Sequence, residues 1–454
     1  MYKIIGLLPV IFTIGCAVAE PQLASTSVKS VAPFSQRDLQ TPFPSKPTPD
    51  GGFSVQEAKQ LLEFCIELNN QDDRNKEAAK EIKDSQFNAN PGNWQIEYDS
   101  RNPVNKQWNM SGGDSANNPK ENGIKPFNNA WLLLKNLDAP KQYAIAIRGT
   151  VGEKTSILND ALVTTIPADT GINYPRGRHL PIVFAATPYA ELHLGFANAA
   201  FALLFDKEKG ILKQLKEKKL PADAELFITG HSQGAAIATL VHSFLYYALT
   251  DSSDRYVLKQ HLRTKDVNGI QLKSYVFAQP KPGNLQYAED FGRIAKDFSY
   301  VINNDLDSVP QVPLSLQTPT EAIKSIVHDN TDTGNSLDSI IFKTLNFDIK
   351  VIERIKDHLA KVGADRIAKL FEDKQVALDV DYFKGVSIQE QAKAVSLNYT
   401  LAGQLIPVFG LKKGGCLYPM PMEEKDELIQ HHATSYRKLV VDQIEGAKTP
   451  GCTQ

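Results

Sequence analysis

The chain has 454 residues, of which 42% are hydrophobic, and its formal net charge at pH 7 is -2. This length allows one large domain with insertions, or two domains, around a sizeable hydrophobic core. The nearly balanced charge provides no basic surface for nucleic acid, and no DNA- or RNA-binding motif is present, so nucleic-acid partners are excluded.

An apolar run covers residues 4–19 and is too short to span a bilayer comfortably. Its position is that of a secretory signal, so we interpret 1–19 as a signal peptide and expect export. The sequence offers two candidate cleavage sites. Ala17-Val18-Ala19 has the small-x-small form of a signal peptidase site, whereas Thr13-Ile14-Gly15-Cys16 resembles a bacterial lipobox. The first predicts a secreted protein, and the second predicts a lipoprotein anchored through Cys16 in the bacterial envelope, at the outer membrane. An incidental cysteine is the third interpretation.

Residues 20–52 are rich in Pro, Ser, Thr and Gln and lack an apolar period, which predicts a flexible linker. The rest of the chain, 53–450, is interpreted as one domain. Its first helix is predicted from the capping-box pair Ser54 and Glu57 to about Asn69. Cys65 follows the apolar spacing of this helix, so we expect a buried, unreactive thiol.

Strand-like and helical patterns then alternate along the chain. Strands are predicted at 94–98, 130–135, 143–148, 225–229, 272–278 and 298–302, and helices at 197–218, with a break at Gly210, and at 235–249. This alternation favours an α/β fold with a mainly parallel central sheet and helices on both faces.

The pattern changes between about 318 and 395. Residues 340–375 are charged, helical in period and free of proline, which predicts a helical insertion. This insertion is either a cap over the site or a peripheral subdomain. Residues 399–409 return to strand-like alternation, and 435–444 predict a terminal helix.

The segment 226–238 combines an apolar run, the sequence Gly230-His231-Ser232-Gln233-Gly234 and a helical run of small residues. This combination is typical of a nucleophile elbow, a tight turn between a strand and a helix that exposes the serine Oγ. A side chain in place of either glycine would crowd the turn or the helix crossing. We predict that Ser232 is the nucleophile and that the backbone N–H of Gln233 faces the oxyanion.

A serine hydroxyl becomes nucleophilic when a base removes its proton, and an acid must hold that base in the correct tautomer. On sheets of this kind the chain order is Ser, then Asp or Glu, then His. The acid candidates at a strand end are Asp305 and Asp307. The histidines that follow them are His328, His358, His431 and His432.

Five sequence blocks together resemble the class 3 lipases, the fungal-lipase-like branch of the α/β-hydrolases. They are Ile147-Arg148-Gly149-Thr150, His193-Leu194-Gly195-Phe196, Gly230-His231-Ser232-Gln233-Gly234, Phe277-Ala278-Gln279-Pro280-Lys281-Pro282-Gly283-Asn284 and Asp307-Ser308-Val309-Pro310. They occur in the family's order, and the resemblance covers roughly 130–313 and 399–440.

The resemblance implies a role for each matching residue. Ser232 matches the nucleophile, and Asp307 matches the acid because the family aspartate directly precedes x-Val-Pro. His431 matches the base through a His-x4-Tyr-x2-Leu-Val ending that includes Tyr436. The separation of Asp307 and His431 is far longer than in the family, so His432 remains the alternative.

The resemblance also implies an oxyanion hole made by Thr150 and Gln233. Gln233 replaces the usual apolar residue after the nucleophile, but it keeps the backbone N–H that the hole requires. In the family the segment after the oxyanion residue is a lid, and the scattered apolar residues of 151–162 predict its apolar face. An ordinary surface helix packed on the core is the alternative.

The other polar residues singled out by these motifs have structural interpretations. We expect Asp305 to cap a turn or face water, His193 to form a structural hydrogen bond, His231 to pack at the elbow pointing away from Ser232, and His328 and His358 to lie at the surface.

The implied function is a serine ester hydrolase of lipid degradation that cleaves acyl esters of lipids through an acyl-enzyme, as a triacylglycerol lipase or phospholipase. The expected partner is a lipid or acyl-ester substrate, with association at a membrane surface, and no metal or cofactor is implied. The alternative is a non-catalytic lipid- or partner-binding module on the same fold. A third interpretation is an enzyme for small water-soluble esters.

Overall fold

The computed structural model describes residues 52–69, 93–101, 124, 129–149, 165–169, 172–174, 178–180, 182–221, 223–251, 270–313, 399–410 and 429–445. All of them belong to one compact unit that runs from Phe34 to Gln454. The predicted signal peptide, almost all of the linker, the lid segment and the insertion lie outside the described residues, as do Thr150, His328 and His358.

The described helices are α1 (Val55–Asn69), α2 (Leu194–Phe205), α3 (Ile211–Lys218), α4 (Gln233–Thr250), α5 (Leu285–Ile294) and α6 (Ala433–Leu439). Short 3-10 turns occur at Val309–Gln311 and Ile429–His431, and a π-helical turn at Val440–Glu445 continues α6. None of the helices in the described part of the chain combines the length and the hydropathy that a transmembrane span requires.

The described strands are β1 (Trp94–Asp99), β2 (Trp131–Asn136), β3 (Gln142–Ile147), β4 (Thr165–Pro167), β5 (Ile172–Tyr174), β6 (Arg178–Leu180), β7 (Glu191–His193), β8 (Glu225–His231), β9 (Gln271–Phe277), β10 (Gly283–Asn284), β11 (Ser299–Asn304), β12 (Tyr399–Thr400) and β13 (Gln404–Val408). Each strand predicted before residue 310 is present.

Seven of the described strands form a central sheet in the order β1-β2-β3-β8-β9-β11-β13. The pairs β1–β2 and β2–β3 are antiparallel, and each neighbouring pair from β3 to β13 is parallel. Helices α2, α3, α4 and α5 pack on one face of this sheet, and α1 and α6 pack on the other. The predicted parallel sheet with helices on both faces is confirmed.

The first predicted helix is confirmed together with its cap. The Ser54 Oγ accepts a hydrogen bond from the Glu57 N–H at 3.4 Å. Helix α1 begins at Val55, the residue after Ser54. Cys65 is buried on this helix, as expected. Burial raises the pKa of the Cys65 thiol to about 12, so the thiol stays protonated and unreactive at neutral pH.

The predicted strand at 399–409 is instead two strands. Gly403 lies between them with φ +118°, a conformation that side-chain-bearing residues rarely adopt, and it turns the chain out of line. β12 therefore pairs with β10 in a second, antiparallel sheet of order β12-β10-β7-β4, whereas β13 pairs with β11 at the edge of the central sheet.

The elbow between β8 and α4 depends on very close backbone packing. A Cβ at Gly230 would lie 2.2 Å from the Gly234 carbonyl oxygen, and a Cβ at Gly234 would lie 2.4 Å from the Ile147 carbonyl oxygen. Ser232 itself has φ 62° and ψ -135°, a strained backbone conformation for a residue with a side chain. Both glycines are therefore needed for the turn that presents Ser232.

We predict that Gly234→Ala destabilises the protein by about 1–3 kcal/mol, because the added methyl group has to displace backbone atoms of β3. Thermal unfolding measures this loss. Gly292→Ala on α5 is the matched control, because a Cβ there meets nothing within 4 Å. We expect this control to be neutral or stabilising by up to about 1 kcal/mol, since Ala favours the helix over Gly. Equal melting temperatures for wild type and Gly234→Ala would contradict the prediction.

Candidate active site

Three predicted side chains meet at the carboxyl edge of the central sheet. The Oγ of Ser232 lies 2.8 Å from Nε2 of His431. The Nδ1 of the same imidazole lies 2.9 Å from Oδ2 of Asp307. The structure therefore connects hydroxyl, imidazole and carboxylate in one continuous chain of hydrogen bonds, which we call the triad.

The strand ends position two members of the triad. Ser232 follows the last residue of β8 and is the N-cap residue of α4. Asp307 lies in a short turn after β11. The Val309 N–H donates a hydrogen bond to Asp307 Oδ1 at 2.9 Å. Because β8, β9 and β11 are parallel, their carboxyl ends lie side by side and bring these two residues to the same edge.

The third member arrives from the far end of the chain. His431 ends a 3-10 turn that leads into α6, and it is buried. Asn304 at the end of β11 donates two hydrogen bonds to Gln430, at 3.0 Å to the carbonyl and 2.9 Å to Oε1. His432, the alternative base, is instead the N-cap residue of α6. His431 is therefore the histidine that is hydrogen-bonded to Ser232.

The electrostatics favour one tautomer of His431. Asp307 is 2% exposed, and its carboxylate accepts hydrogen bonds without donating any. A neutral His431 therefore carries its proton on Nδ1, facing Asp307. This leaves Nε2 with a lone pair directed at the Ser232 hydroxyl, so the arrangement is suited to removing the serine proton.

Tyr436 is a further member of the site whose role the sequence did not indicate. Its hydroxyl donates to Asp307 Oδ2 at 2.8 Å and accepts from the Asn304 N–H at 3.0 Å. Burial and the adjacent Asp307 charge raise the pKa of Tyr436 well above 10, which keeps the hydroxyl protonated as a donor. Tyr436 is visible in the His-x4-Tyr spacing, but its contact with Asp307 joins residues 129 positions apart.

His231 packs at the elbow, as expected, and its neighbours are the rings of the site. Its ring centroid lies 4.8 Å from that of His431 and 5.7 Å from that of Tyr436, the latter edge to face. The expectations for two other residues also agree with the structure. His193 caps α2 by accepting the Phe196 N–H, and the exposed Asp305 accepts the N–H of Gly410 at 2.6 Å.

One of the two predicted oxyanion donors can be placed. Gln233 is the first residue of α4, where backbone N–H groups have no partner within the helix. A Cβ on Gly149 would lie 3.3 Å from the Ser232 Cβ and 3.8 Å from the Gln233 nitrogen, so the end of β3 lies beside the nucleophile. Thr150 follows Gly149 directly but lies outside the described residues.

Among the described residues, no group of three or more His, Cys, Asp or Glu side chains is arranged to hold a metal ion.

Sheet order, elbow and triad together define a class of protein. A mostly parallel sheet with helices on both faces, a serine on a strand–turn–helix elbow, and the chain order Ser, Asp, His are the features of an α/β-hydrolase. Residues 144–317 also match the family model described as Lipase (class 3). This segment, less than half of the chain, resembles the class 3 lipases, and the match supports a carboxylic ester hydrolase of the lipase type. The match includes Ser232 and Asp307 and ends before His431.

Several solved lipase structures are similar to this chain at low sequence identity and low TM-score. M37 lipase is 16% identical with a TM-score of 0.36, over 86% of this chain and 90% of that one. Lip2 lipase from Yarrowia lipolytica is 21% identical with a TM-score of 0.32, over 49% and 61%. The triacylglyceride lipase of Rhizomucor miehei is 17% identical with a TM-score of 0.32, over 58% and 76%. No curated protein matches the sequence.

We predict that Tyr436→Phe lowers kcat for a chromogenic ester about tenfold and leaves KM nearly unchanged. The variant removes one hydrogen bond to a charged acceptor, worth about 1.5–3 kcal/mol, and the lost donor orients Asp307 without belonging to the substrate site. Steady-state kinetics measure both constants.

Tyr300→Phe is the matched control. Tyr300 is also buried, and its hydroxyl donates a hydrogen bond to the Asp297 carbonyl, outside the triad. We expect it to keep the wild-type kcat. A Tyr436→Phe enzyme with wild-type kcat would show that the hydroxyl is dispensable for orienting Asp307.

Proposed function

We propose that the protein hydrolyses acyl esters of lipids and that the reaction passes through an acyl-enzyme on Ser232. The observation that carries this proposal is the continuous chain of hydrogen bonds from Ser232 Oγ through both nitrogens of His431 to Asp307, with distances of 2.8 and 2.9 Å. These are the contacts that proton transfer from the serine requires before substrate binds.

In the first half of the reaction, Ser232 Oγ attacks the ester carbonyl carbon while His431 Nε2 takes the serine proton. Asp307 holds the resulting imidazolium in orientation and stabilises its charge. The carbonyl oxygen becomes an oxyanion, for which we assign the N–H groups of Gln233 and Thr150 as donors. Each such donor is worth about 3 kcal/mol in the transition state. Collapse of the intermediate releases the alcohol, which leaves with the proton from His431.

In the second half, water attacks the carbonyl carbon of the acyl group that is esterified to Ser232 Oγ. His431 removes a proton from this water, and a second tetrahedral intermediate forms in the same oxyanion site. Its collapse releases the carboxylic acid and returns the proton to Ser232 Oγ. The net reaction consumes one ester and one water and yields one alcohol and one acid, so it needs no cofactor to balance.

The proposed substrate is a lipid ester, of either the triacylglycerol or the phospholipid type. The class 3 lipase match supports this substrate class. The apolar segment at 4–19 supports export, either as a secreted enzyme or as a lipoprotein acylated on Cys16, and both forms would meet lipid outside the cytoplasm. We accordingly propose that the enzyme works at a lipid surface.

We predict that a fluorophosphonate probe labels wild-type protein and that Ser232→Ala abolishes the labelling. The probe reacts only with a serine whose proton an adjacent base can take, which His431 is placed to do. Mass spectrometry of the labelled peptide locates the modified residue. Ser308→Ala, which changes an exposed serine next to Asp307, is the control and should label like wild type. A folded wild type that stays unlabelled from mildly acidic to mildly alkaline pH would favour the non-catalytic binding module.

We predict that kcat/KM for nitrophenyl esters rises from acetate to long-chain acyl groups and rises again when detergent micelles are present. Longer acyl chains bury more apolar surface in a lipid-binding site, at about 0.8 kcal/mol per methylene. Acid release from triacylglycerol emulsions and from phospholipid vesicles then identifies the headgroup class. Highest activity on acetate, with no effect of micelles, would indicate an enzyme for small soluble esters.

A further inference from the structure

Contacts with other parts of the chain hold His431 close to Ser232. His431 follows Asp307 by 124 residues, and it lies beyond the segment that matches the class 3 lipases. The entropic cost of closing a connection grows with its length, so chain connectivity does little to fix the position of 429–445. Noncovalent contacts have to hold this segment at hydrogen-bonding distance from Ser232.

One polar contact to this segment comes from α1, near the start of the described residues. Arg437 on α6 forms two parallel hydrogen bonds with the Glu63 carboxylate on α1, with Nε at 2.5 Å from Oε1 and Nη2 bonded to Oε2. Glu63 is 4% exposed, and the two residues are 374 positions apart. A bidentate pair of this kind fixes both distance and angle, which a single hydrogen bond does not.

Helix α1 is itself attached to β8, which leads to the elbow, and to the neighbouring strand β9. The Cys65 Sγ lies 3.4 Å from Oγ1 of Thr229 on β8, three residues before Ser232. At the start of the helix, the Glu57 carboxylate accepts a hydrogen bond from the Tyr275 hydroxyl on β9 at 2.6 Å. The Nζ of Lys273, also on β9, lies 2.6 Å from the same carboxylate oxygen. A displacement of α1 relative to the elbow would break these contacts.

On the other side of the pair, Arg437 and the triad histidine belong to one hydrogen-bonded unit. His432, which directly follows His431, is the N-cap residue of α6, and its carbonyl accepts the N–H groups of Ser435 and Tyr436 in the first turn of that helix. Tyr436, next to Arg437, is bonded to Asp307. A movement of α6 is therefore transmitted to His431.

We propose that α1 acts as a brace for the triad, in which the Glu63–Arg437 ion pair holds α6 at the distance where His431 reaches Ser232. The inference rests on the proposed function, because it explains how that site is kept assembled. Neither side chain bonds to Ser232 or His431, so Glu63 and Arg437 are positioning residues. A misplacement of about 1 Å in a catalytic group can cost about 100-fold in rate, so a modest movement of α6 is sufficient.

The test compares Glu63→Gln with wild type, because the variant keeps the side-chain volume and removes the charge. We expect the rate constant for fluorophosphonate labelling of Ser232, per folded molecule, to fall at least tenfold, and kcat for a nitrophenyl ester to fall with it while KM stays constant. The downfield proton NMR signal of His431 Nδ1–H should weaken. Unchanged labelling and an unchanged signal in folded Glu63→Gln would overturn the brace.

A matched control separates positioning from simple loss of stability. Arg293 pairs with the fully buried Asp290 within α5, on the opposite face of the sheet. Arg293→Met should therefore lower the melting temperature and leave the labelling rate of folded protein at the wild-type value. If this control slows labelling as much as Glu63→Gln does, the effect is general destabilisation and the brace is contradicted.

Two further variants keep the inference testable if Glu63→Gln does not fold. The double variant with Glu63→Met and Arg437→Met replaces the ion pair by apolar contact, which often preserves stability. We expect it to fold and to label slowly, and labelling at the wild-type rate would overturn the brace. Arg437→Lys keeps the charge but loses the fork geometry, and should also label slowly. An unlabelled wild type would count against the proposed function, and the His431 signal would still test the brace.

Discussion

One buried carboxylate holds the site together. Asp307 accepts hydrogen bonds from the imidazole of His431, the hydroxyl of Tyr436 and the backbone of Val309, so two distant parts of the chain converge on it. A carboxylate that is nearly removed from water is stable only when donors replace its hydration, which gives each of these contacts a large energetic weight. The hydrogen bond to Asp307 fixes the Nδ1 side of the His431 imidazole, and Nε2 then faces Ser232.

The sequence was sufficient for those parts of the site that depend on local structure. The elbow was predictable because tight turns require particular residues, and the structure confirms that Gly230 and Gly234 have no room for side chains. Asp307 and His431 were assigned through the family resemblance, and in the structure His431 is hydrogen-bonded to both Ser232 and Asp307. Their catalytic roles, and the role assigned to Thr150, remain proposals.

Contacts between distant segments were not predictable from pattern. The Tyr436–Asp307 bond and the Glu63–Arg437 pair connect residues 129 and 374 positions apart, and an isolated Glu or Tyr carries no signal for its partner. The segment at 399–409 was predicted as one strand, but it forms two. The conformation of Gly403 divides that segment between two sheets, and apolar periodicity does not report such a backbone turn.

The backbone of Ser232 also restricts which chemistry this scaffold can acquire. With φ at 62° and ψ at -135°, a second heavy atom on Cβ would crowd the neighbouring peptide groups. Threonine carries the same hydroxyl as serine but is branched at Cβ, so exchanging one alcohol for the other would be strained at this position. Cysteine has the unbranched shape of serine, so a thiol is the nucleophile by which a hydrolase of this architecture would diversify.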